Sequence, residues 1–439
     1  MSDHSTSLFS VTAWKQRLVF WGGAIFVGLL IVAMILLSEW ADETYRMLSK
    51  QYFFFNFLIA PVGLSFTAWL TFRFFRGSER SGIPQVKTAL EIKGNLDDRN
   101  RLISLKIMLG KMLLPIMGLF SGASVGFGGP AVHVGASLMA SLGKAVHFPP
   151  HYMERGLILA GSAAGFAAMF SAPLAGIMFA IEEIGRAMEE KISSMVLTAI
   201  VFSGVTAYAL LNNYIFFNDK SFIMPWSQSW IAIPLCGIVG GFLGGLFSKI
   251  VILGGRLLAK TNISIVVIAF ASGGVIAILG YYSDGDSFGT GYSQAKAILN
   301  NSETMDPWFP IYKMLATCAT FFSGIPSGIF VPSIATGAGF GVNLANWFPI
   351  APVSAMILLT MTAYFSGMLQ SPLTSFVIVM EMTGSHEILI PLMATAFFAT
   401  GTSKLINPVP LYRALCNSYA QPVDEIHEDK KAKKTDSSV

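Results

Sequence analysis

The sequence predicts an all-α polytopic membrane protein, and three observations carry that prediction. Of its 439 residues, 53% are hydrophobic and only 12% are charged, against about 25% charged in an ordinary soluble domain. Mean hydropathy is +0.61. The apolar residues fall in long runs parted by polar stretches, the pattern of membrane crossings. A chain this long and this poor in charge cannot cover a globule with polar surface. Soluble enzymes, secreted scaffolds and nucleic-acid binders are set aside on these grounds. The formal net charge of +4 is a weak argument for nucleic acid, and the basic residues sit in loops and termini. Cys236, Cys318 and Cys416 form neither a metal spacing nor a disulfide framework. They read as small buried hydrophobes.

The first element is a span over 18–37, preceded by Lys15 and Arg17. About twenty residues at ~1.5 Å each cross a ~30 Å hydrocarbon core. No small-residue cleavage site is present, so the span is retained, and residues 1–17 form a cytoplasmic segment. A loop with Glu39, Asp42 and Glu43 joins it to a second run over 53–70. The stretch 73–111 carries nine basic residues. The positive-inside rule places it, and the N-terminus two crossings earlier, in the cytoplasm. Further apolar segments lie near 113–125, 155–181, 194–211, 229–252, 263–280, 314–323, 330–345, 351–368, 371–380 and 388–400. Several are too short to cross, and many are broken by the 42 glycines and 20 prolines. Such pieces predict discontinuous helices whose ends are buried in protein or line an aqueous cavity, the habit of a transporter or channel. Residues 421–439 read as a polar, disordered cytoplasmic tail, with no room for an appended soluble domain.

Two segments echo each other. SAPLAGIMFAIEEIG at 171–185 and QSPLTSFVIVMEMTG at 370–384 each place an acid, Glu182 or Glu381, nine residues after a proline. GGPAVHVGAS at 128–137 and FVPSIATGAG at 330–339 share a proline five residues before a glycine. The offsets, 199 and 202 residues, argue for two related halves, about 18–212 and about 229–420. Halves of this kind are often inverted, with the substrate site where broken helices meet near mid-membrane.

Three Gly-rich stretches carry the chemistry: SGIP at 81–84, GFGGP at 126–130 and GIPSGIFVP at 324–332. Each precedes a segment able to begin a helix. A helix N-terminus exposes unpaired N–H groups at the positive end of its dipole. Several such ends converging on one spot bind an anion without a lysine, and so without holding a permeant ion too tightly to release it.

These motifs, in this order and over nearly the whole chain, resemble the CLC chloride channel/transporter family. SGIPQVKTAL at 81–90 is similar to the family's GSGIP stretch, and GFGGPAVHVG at 126–135 takes the place of its GREGP stretch. SGIFVP at 327–332 resembles its GxFxP stretch. PLAGIMFAIEE at 173–183, GTGYSQAKAIL at 289–299 and PLYRAL at 410–415 also fit. The resemblance implies a CLC-like domain over 18–420, built of two inverted repeats of broken and tilted helices. It implies a homodimer in the lipid bilayer with one anion path per subunit, bound chloride ions, and no metal or other cofactor. The central anion would be held by the hydroxyls of Ser81 and Tyr412 and the backbone N–H groups of Ile329 and Phe330. Taken alone, Ser81 is an ordinary helix N-cap and Tyr412 an interface aromatic. A serine at this place is the chloride-like choice, with bromide and nitrate tolerated. The expected location is a bacterial inner membrane, both termini cytoplasmic.

One departure matters. Gly128 stands where the family keeps a glutamate that gates the path and accepts protons, and Phe127 stands in place of its arginine. Glycine can neither plug the site nor carry a proton. The expectation is passive, proton-uncoupled chloride transport through an unplugged, channel-like pathway. The alternative is a proton-coupled chloride antiporter. Glu183 stands at the family's internal proton-transfer position, just after Glu182, and His133 titrates near neutrality when unperturbed. Both also have structural readings, as a buried acid at a segment end and as a packing histidine. Lys111 reads equally as a source of positive potential at the cytoplasmic mouth or as one more positive-inside residue. An organic-anion transporter and a membrane enzyme are more distant alternatives. No HExxH, GxSxG or P-loop pattern appears, and Pro149 and Pro150 separate His147 from His151, so no enzyme is expected.

Overall fold

The computed structural model describes residues 11–52, 54–92, 96–146, 152–185, 194–211, 217, 224, 228–300 and 305–419. The polar tail expected at 421–439, and most of the segment before residue 18, lie outside them. The described elements are helical, apart from isolated backbone bridges. The first half contains α1 (Val11–Gln51), α2 (Phe55–Phe74), α3 (Ile83–Glu91), α4 (Leu96–Leu102), α5 (Leu105–Leu119), α6 (Gly128–Ala145), α7 (Tyr152–Phe170), α8 (Pro173–Phe179) and α9 (Ser194–Leu210). The second contains α10 (Ala232–Ala259), α11 (Ile265–Tyr282), α12 (Tyr292–Asn300), α13 (Phe309–Phe322), α14 (Phe330–Trp347), α15 (Val353–Leu369), α16 (Pro372–Thr383) and α17 (Leu389–Ile406). A further helical segment covers 411–419. Among the described residues, six helices are long and apolar enough to cross a membrane.

Three expectations about elements are corrected. α1 does not end near residue 37 but runs 41 residues, absorbing the expected acidic loop. No Gly or Pro interrupts 38–51. Ala41, Tyr45 and Ser49 are buried at four-residue spacing, and Arg46 bonds Asp42 one turn back at 3.1 Å. The basic stretch is no solvated loop either. It holds α3, α4 and the start of α5, and it buries Lys87, Arg99 and Lys111. The apolar run 155–181 divides into α7 and α8 at Ser171, whose φ is +50°, and α8 then begins at Pro173. α15 and α16 part in the same way at Gln370, φ +57°.

Apart from α4, the halves correspond helix for helix, α1–α3 and α5–α9 with α10–α17. Their relation is visible at Gly126 and Gly328, which are 202 positions apart, like Pro130 and Pro332. Each donates its N–H to the other's carbonyl, at 2.8 and 2.6 Å, in an antiparallel bridge. Equivalent residues bonded in this reciprocal way lie on the axis relating two inverted halves. Close packing of small residues brings the first turns of α6 and α14 to that axis. A Cβ on Gly135 would overlap the carbonyl of Gly161 on α7, so the two backbones touch.

Candidate functional site

The segment before α3 is held by backbone. Arg80 donates to Ile325 O and Ser327 donates to Arg80 O, both at 3.1 Å. From below, the buried Lys111 ammonium donates to Arg80 O at 2.5 Å and Glu79 O at 3.1 Å. Lys111 is therefore neither a loop cation nor a surface charge at a mouth; it fixes the backbone that presents Ser81. Gly82 occupies the N-cap of α3 with φ +100°, a conformation that favours glycine. Ser81 precedes the cap and does not fill it.

The Ser81 hydroxyl instead lies 3.4 Å from the Tyr412 hydroxyl, both residues being 1% exposed. Ile329 is the N-cap of α14 and Phe330 its first residue. The N–H groups of such a first turn have no acceptor within the helix. The Phe330 ring centroid is 5.9 Å from that of Tyr412. The structure thus gathers Ser81, Tyr412 and the start of α14 in one buried place, with the start of α6 against them: a Cβ on Gly129 would overlap Ser81.

The open gap expected at Gly128 is absent. A Cβ there would lie 2.8 Å from Phe330 Cδ2 and 3.0 Å from Phe170 Cζ. Phe330 also meets Phe166 at 5.6 Å, Phe365 at 5.1 Å and Phe179 at 6.4 Å between centroids. Aromatic rings close over Gly128 instead, because protein interiors pack without voids.

Glu183 is buried in the π-helical turn after α8, spanning Ala180–Ile184. It accepts from Lys87 Nζ at 2.7 Å and from the Ser371 hydroxyl at 2.7 Å. Its neighbour Glu182 points to the N-terminus of α16. His133 is fully buried, with Nε2 at 2.8 Å from Leu102 O and Nδ1 at 3.2 Å from the Ser137 hydroxyl. A carbonyl only accepts, so Nε2 carries the ring proton and Nδ1 accepts from Ser137. His133 lies behind the Ser81 loop, its Cβ against Gly82.

Lys87 escaped sequence reasoning, although a signal was present. SGIPQVKTAL and TGYSQAKAIL match position for position from Ser81 and Thr290, pairing Lys87 with Lys296. Lys111 pairs likewise with Lys313, which donates to the carbonyls of Ser287, Phe288 and Gly289 at 2.8–3.1 Å.

Residues 63–404 match the family model described as voltage gated chloride channel. The chain is 29% identical over 381 residues to the H(+)/Cl(-) exchange transporter ClcA of Cronobacter sakazakii, covering 83% of this chain and 78% of that protein. It is 27% identical over 418 residues to the exchange transporter of the same name from Yersinia pestis bv. Antiqua, covering 89% and 85%. Its fold is similar to that of a slow cyanobacterial Cl-/H+ antiporter, with TM-score 0.77, 22% identity, and 92% and 98% of the chains covered. A CLC-type fluoride/proton antiporter gives TM-score 0.75, 20% identity and the same coverage. These matches bear out the CLC-like all-α membrane fold. They overturn the expectation of a passive, proton-uncoupled path drawn from Gly128, since the relatives are named as proton-coupled exchangers. A proton route runs through several groups, so one position does not decide it.

Proposed function

We infer function from one premise: this chain belongs to the voltage gated chloride channel family. On that premise the protein is a proton-coupled chloride antiporter, a member of the family that keeps no glutamate at its gate position, Gly128. The names of the exchange transporters it resembles support this reading. The observation that carries it is the way α3 joins two chemistries. Ser81, just ahead of α3, faces the Tyr412 hydroxyl, and Lys87 in its second turn grips the buried acid Glu183.

Chloride is held by the Ser81 and Tyr412 hydroxyls and the N–H groups of Ile329 and Phe330. These donors carry no net charge, so part of the lost hydration is replaced while exchange stays fast. Glu183 accepts and releases the proton on the cytoplasmic side. A carboxylate inside a membrane protein is expensive to keep and marks a proton or ion route. Neutralising Glu183 releases Lys87, whose ammonium then draws an anion toward α3, so proton and chloride movements are linked through one helix. His133, with both ring nitrogens engaged, orders the α4–α6 contact behind the site. Phe330 and Phe170 close the path at Gly128 and must shift for chloride to pass.

The protein works as a homodimer in a bacterial inner membrane, both termini cytoplasmic. α8 and α16 have 7 and 12 residues, about 10 and 18 Å at ~1.5 Å per residue, too short to face ~30 Å of hydrocarbon. Leu174 and Ile181 beside them are half exposed, which suits cover by a second copy.

The test is flux in liposomes holding the purified protein, with a chloride gradient imposed and the voltage shunted by a potassium ionophore. Chloride leaving the vesicles should drive protons uphill in a fixed ratio. Chloride movement without proton movement above protein-free vesicles would end this reading.

A further inference from the structure

If protons cross by the route just proposed, some group on the far side of Gly128 must exchange them with the outer solution, and a glycine offers none. The structure has a cavity of about 280 Å³ at that place. Two of its wall residues are Phe127, directly before Gly128, and Val331, directly after Phe330. The cavity therefore abuts the backs of the two helix starts that meet at the candidate anion site. Most of its remaining wall comes from the later part of α1 and the start of α12, with Met169 of α7 beside them, and carries Glu39, Asp42, Glu43 and Lys296.

The charges around it are accounted for one by one. Arg46 binds Asp42 Oδ2 at 3.1 Å and donates also to Phe288 O at 2.8 Å and to Gln294. Lys313, behind them, is spent on three carbonyls. Asp286 accepts from Gln294 at 3.2 Å. Lys296 lies over the Tyr292 ring at 5.7 Å, and it and Glu43 are the charges acting on Glu39. Asp42 is 8% exposed, lines the cavity, and its Oδ1 has no hydrogen-bond partner. It is a buried acceptor able to take a bond from a protonated neighbour.

The repeat gives independent support. Lys296 is the second-half equivalent of Lys87, by the match of TGYSQAK to SGIPQVK. Lys87 meets Glu183 on one side of the site. Lys296 shares a cavity wall with Glu39 and Glu43 on the other, and its charge acts on Glu39. Inversion of the halves has placed one lysine–carboxylate group at each end of the path.

We propose that Glu39 and Glu43, with the free oxygen of Asp42 beside them, are the outer proton acceptors of this protein, and that the cavity between α1 and α12 is its outer proton port. The proton is taken from outer water onto a carboxylate oxygen of Glu39 or Glu43. It is shared with Asp42 Oδ1 and handed through water past Phe127 and Val331 toward the Glu183 carboxylate, which accepts it. This inference rests on the proton-coupled reading and adds to it the residues that serve in place of a side chain at Gly128.

The experiment uses the full chain in liposomes, with chloride and proton movement recorded in the same vesicles. The double substitution Glu39→Gln/Glu43→Gln should lower protons moved per chloride at least tenfold, chloride movement itself reporting that the variant has assembled. Glu39→Asp/Glu43→Asp keeps two carboxylates and should retain proton movement. An unchanged ratio in the Gln pair overturns the proposal, as does equal loss in the Asp pair, which would mean a structural role. Should the Gln pair fail to assemble, Glu39→Gln and Glu43→Gln decide singly: wild-type ratios in both overturn it. If the unsubstituted protein moves chloride but no protons, the coupled reading fails first and takes this inference with it.

Discussion

Glu182 and Glu381, equivalent acids 199 positions apart, each close the start of a helix in the other half. Glu182 accepts the N–H groups of Leu373 and Thr374 at 3.2 and 2.8 Å. Glu381 accepts those of Leu174 and Ala175 at 3.0 and 2.6 Å. Both α8 and α16 begin at a proline in a break of the chain, so their first N–H groups need an acceptor from elsewhere. A carboxylate also suits the positive end of the dipole, a contribution of ~0.3–1 kcal/mol, and up to ~2 where partly buried. The exchange ties the two inverted halves along the α8–α16 seam.

Replacing either acid should therefore loosen the seam without touching transport stoichiometry. Glu182→Gln and Glu381→Gln are each expected to lower stability by about 1–2 kcal/mol, read as a drop in thermal unfolding temperature in detergent. The proton-to-chloride ratio of whatever protein assembles should stay at the parent value. A ratio change as large as that of Glu183→Gln would place these acids on the proton route instead.

The Lys87–Glu183 pair should behave differently, because both charges are buried. Removing one partner leaves the other uncompensated, a loss of about 3–5 kcal/mol. Lys87→Met should thus destabilise strongly, and Lys87→Met/Glu183→Gln should recover part of that loss. Glu183→Gln alone should abolish proton movement while chloride still crosses. Additive unfolding energies across this cycle would mean that the two side chains are not paired in the membrane.

Much of this was legible in the sequence, and what was not has physical reasons. Pro173, Pro372 and the acids nine residues on gave the repeat, because the same break and cap had to be built twice. The overrun of α1 was hidden because Glu39, Asp42 and Glu43 look like a loop until Ala41, Tyr45 and Ser49 are seen to be buried. α12 was missed because it is short and polar, its lysine facing the cavity. Ser81 and Tyr412, 331 positions apart, were brought together only by resemblance. Glycine at 128 read as an unplugged path, but nothing local announced that Phe330 and Phe170 would close over it.

The hydroxyl pair offers a separate test of anion binding. A hydrogen bond to a charged group contributes about 1.5–3 kcal/mol, roughly ten- to a hundredfold in affinity. Ser81→Ala and Tyr412→Phe are each expected to weaken chloride binding by that factor in titration calorimetry, with little change in unfolding temperature. Tyr412→Phe keeps the ring against Phe330, so its effect isolates the hydroxyl. Unchanged chloride affinity in both variants would move the anion site elsewhere.

The contact between Gly128 and Phe330 sets the last expectation. An added methyl at 128 would fall 2.8 Å from Phe330 Cδ2, with Phe170 Cζ only slightly farther, at 3.0 Å. Overpacking of this kind costs about 1–3 kcal/mol, and here it also presses on rings that must move for chloride to pass. Gly128→Ala should lower the unfolding temperature and slow chloride turnover. Phe330→Leu gives up ring volume and should speed turnover. In the double variant the smaller side chain makes room for the methyl, so the two effects should fail to add, with a coupling of about 0.5–3 kcal/mol. If the double variant is simply the sum of the singles in both stability and flux, the Phe330 ring does not close the path at Gly128.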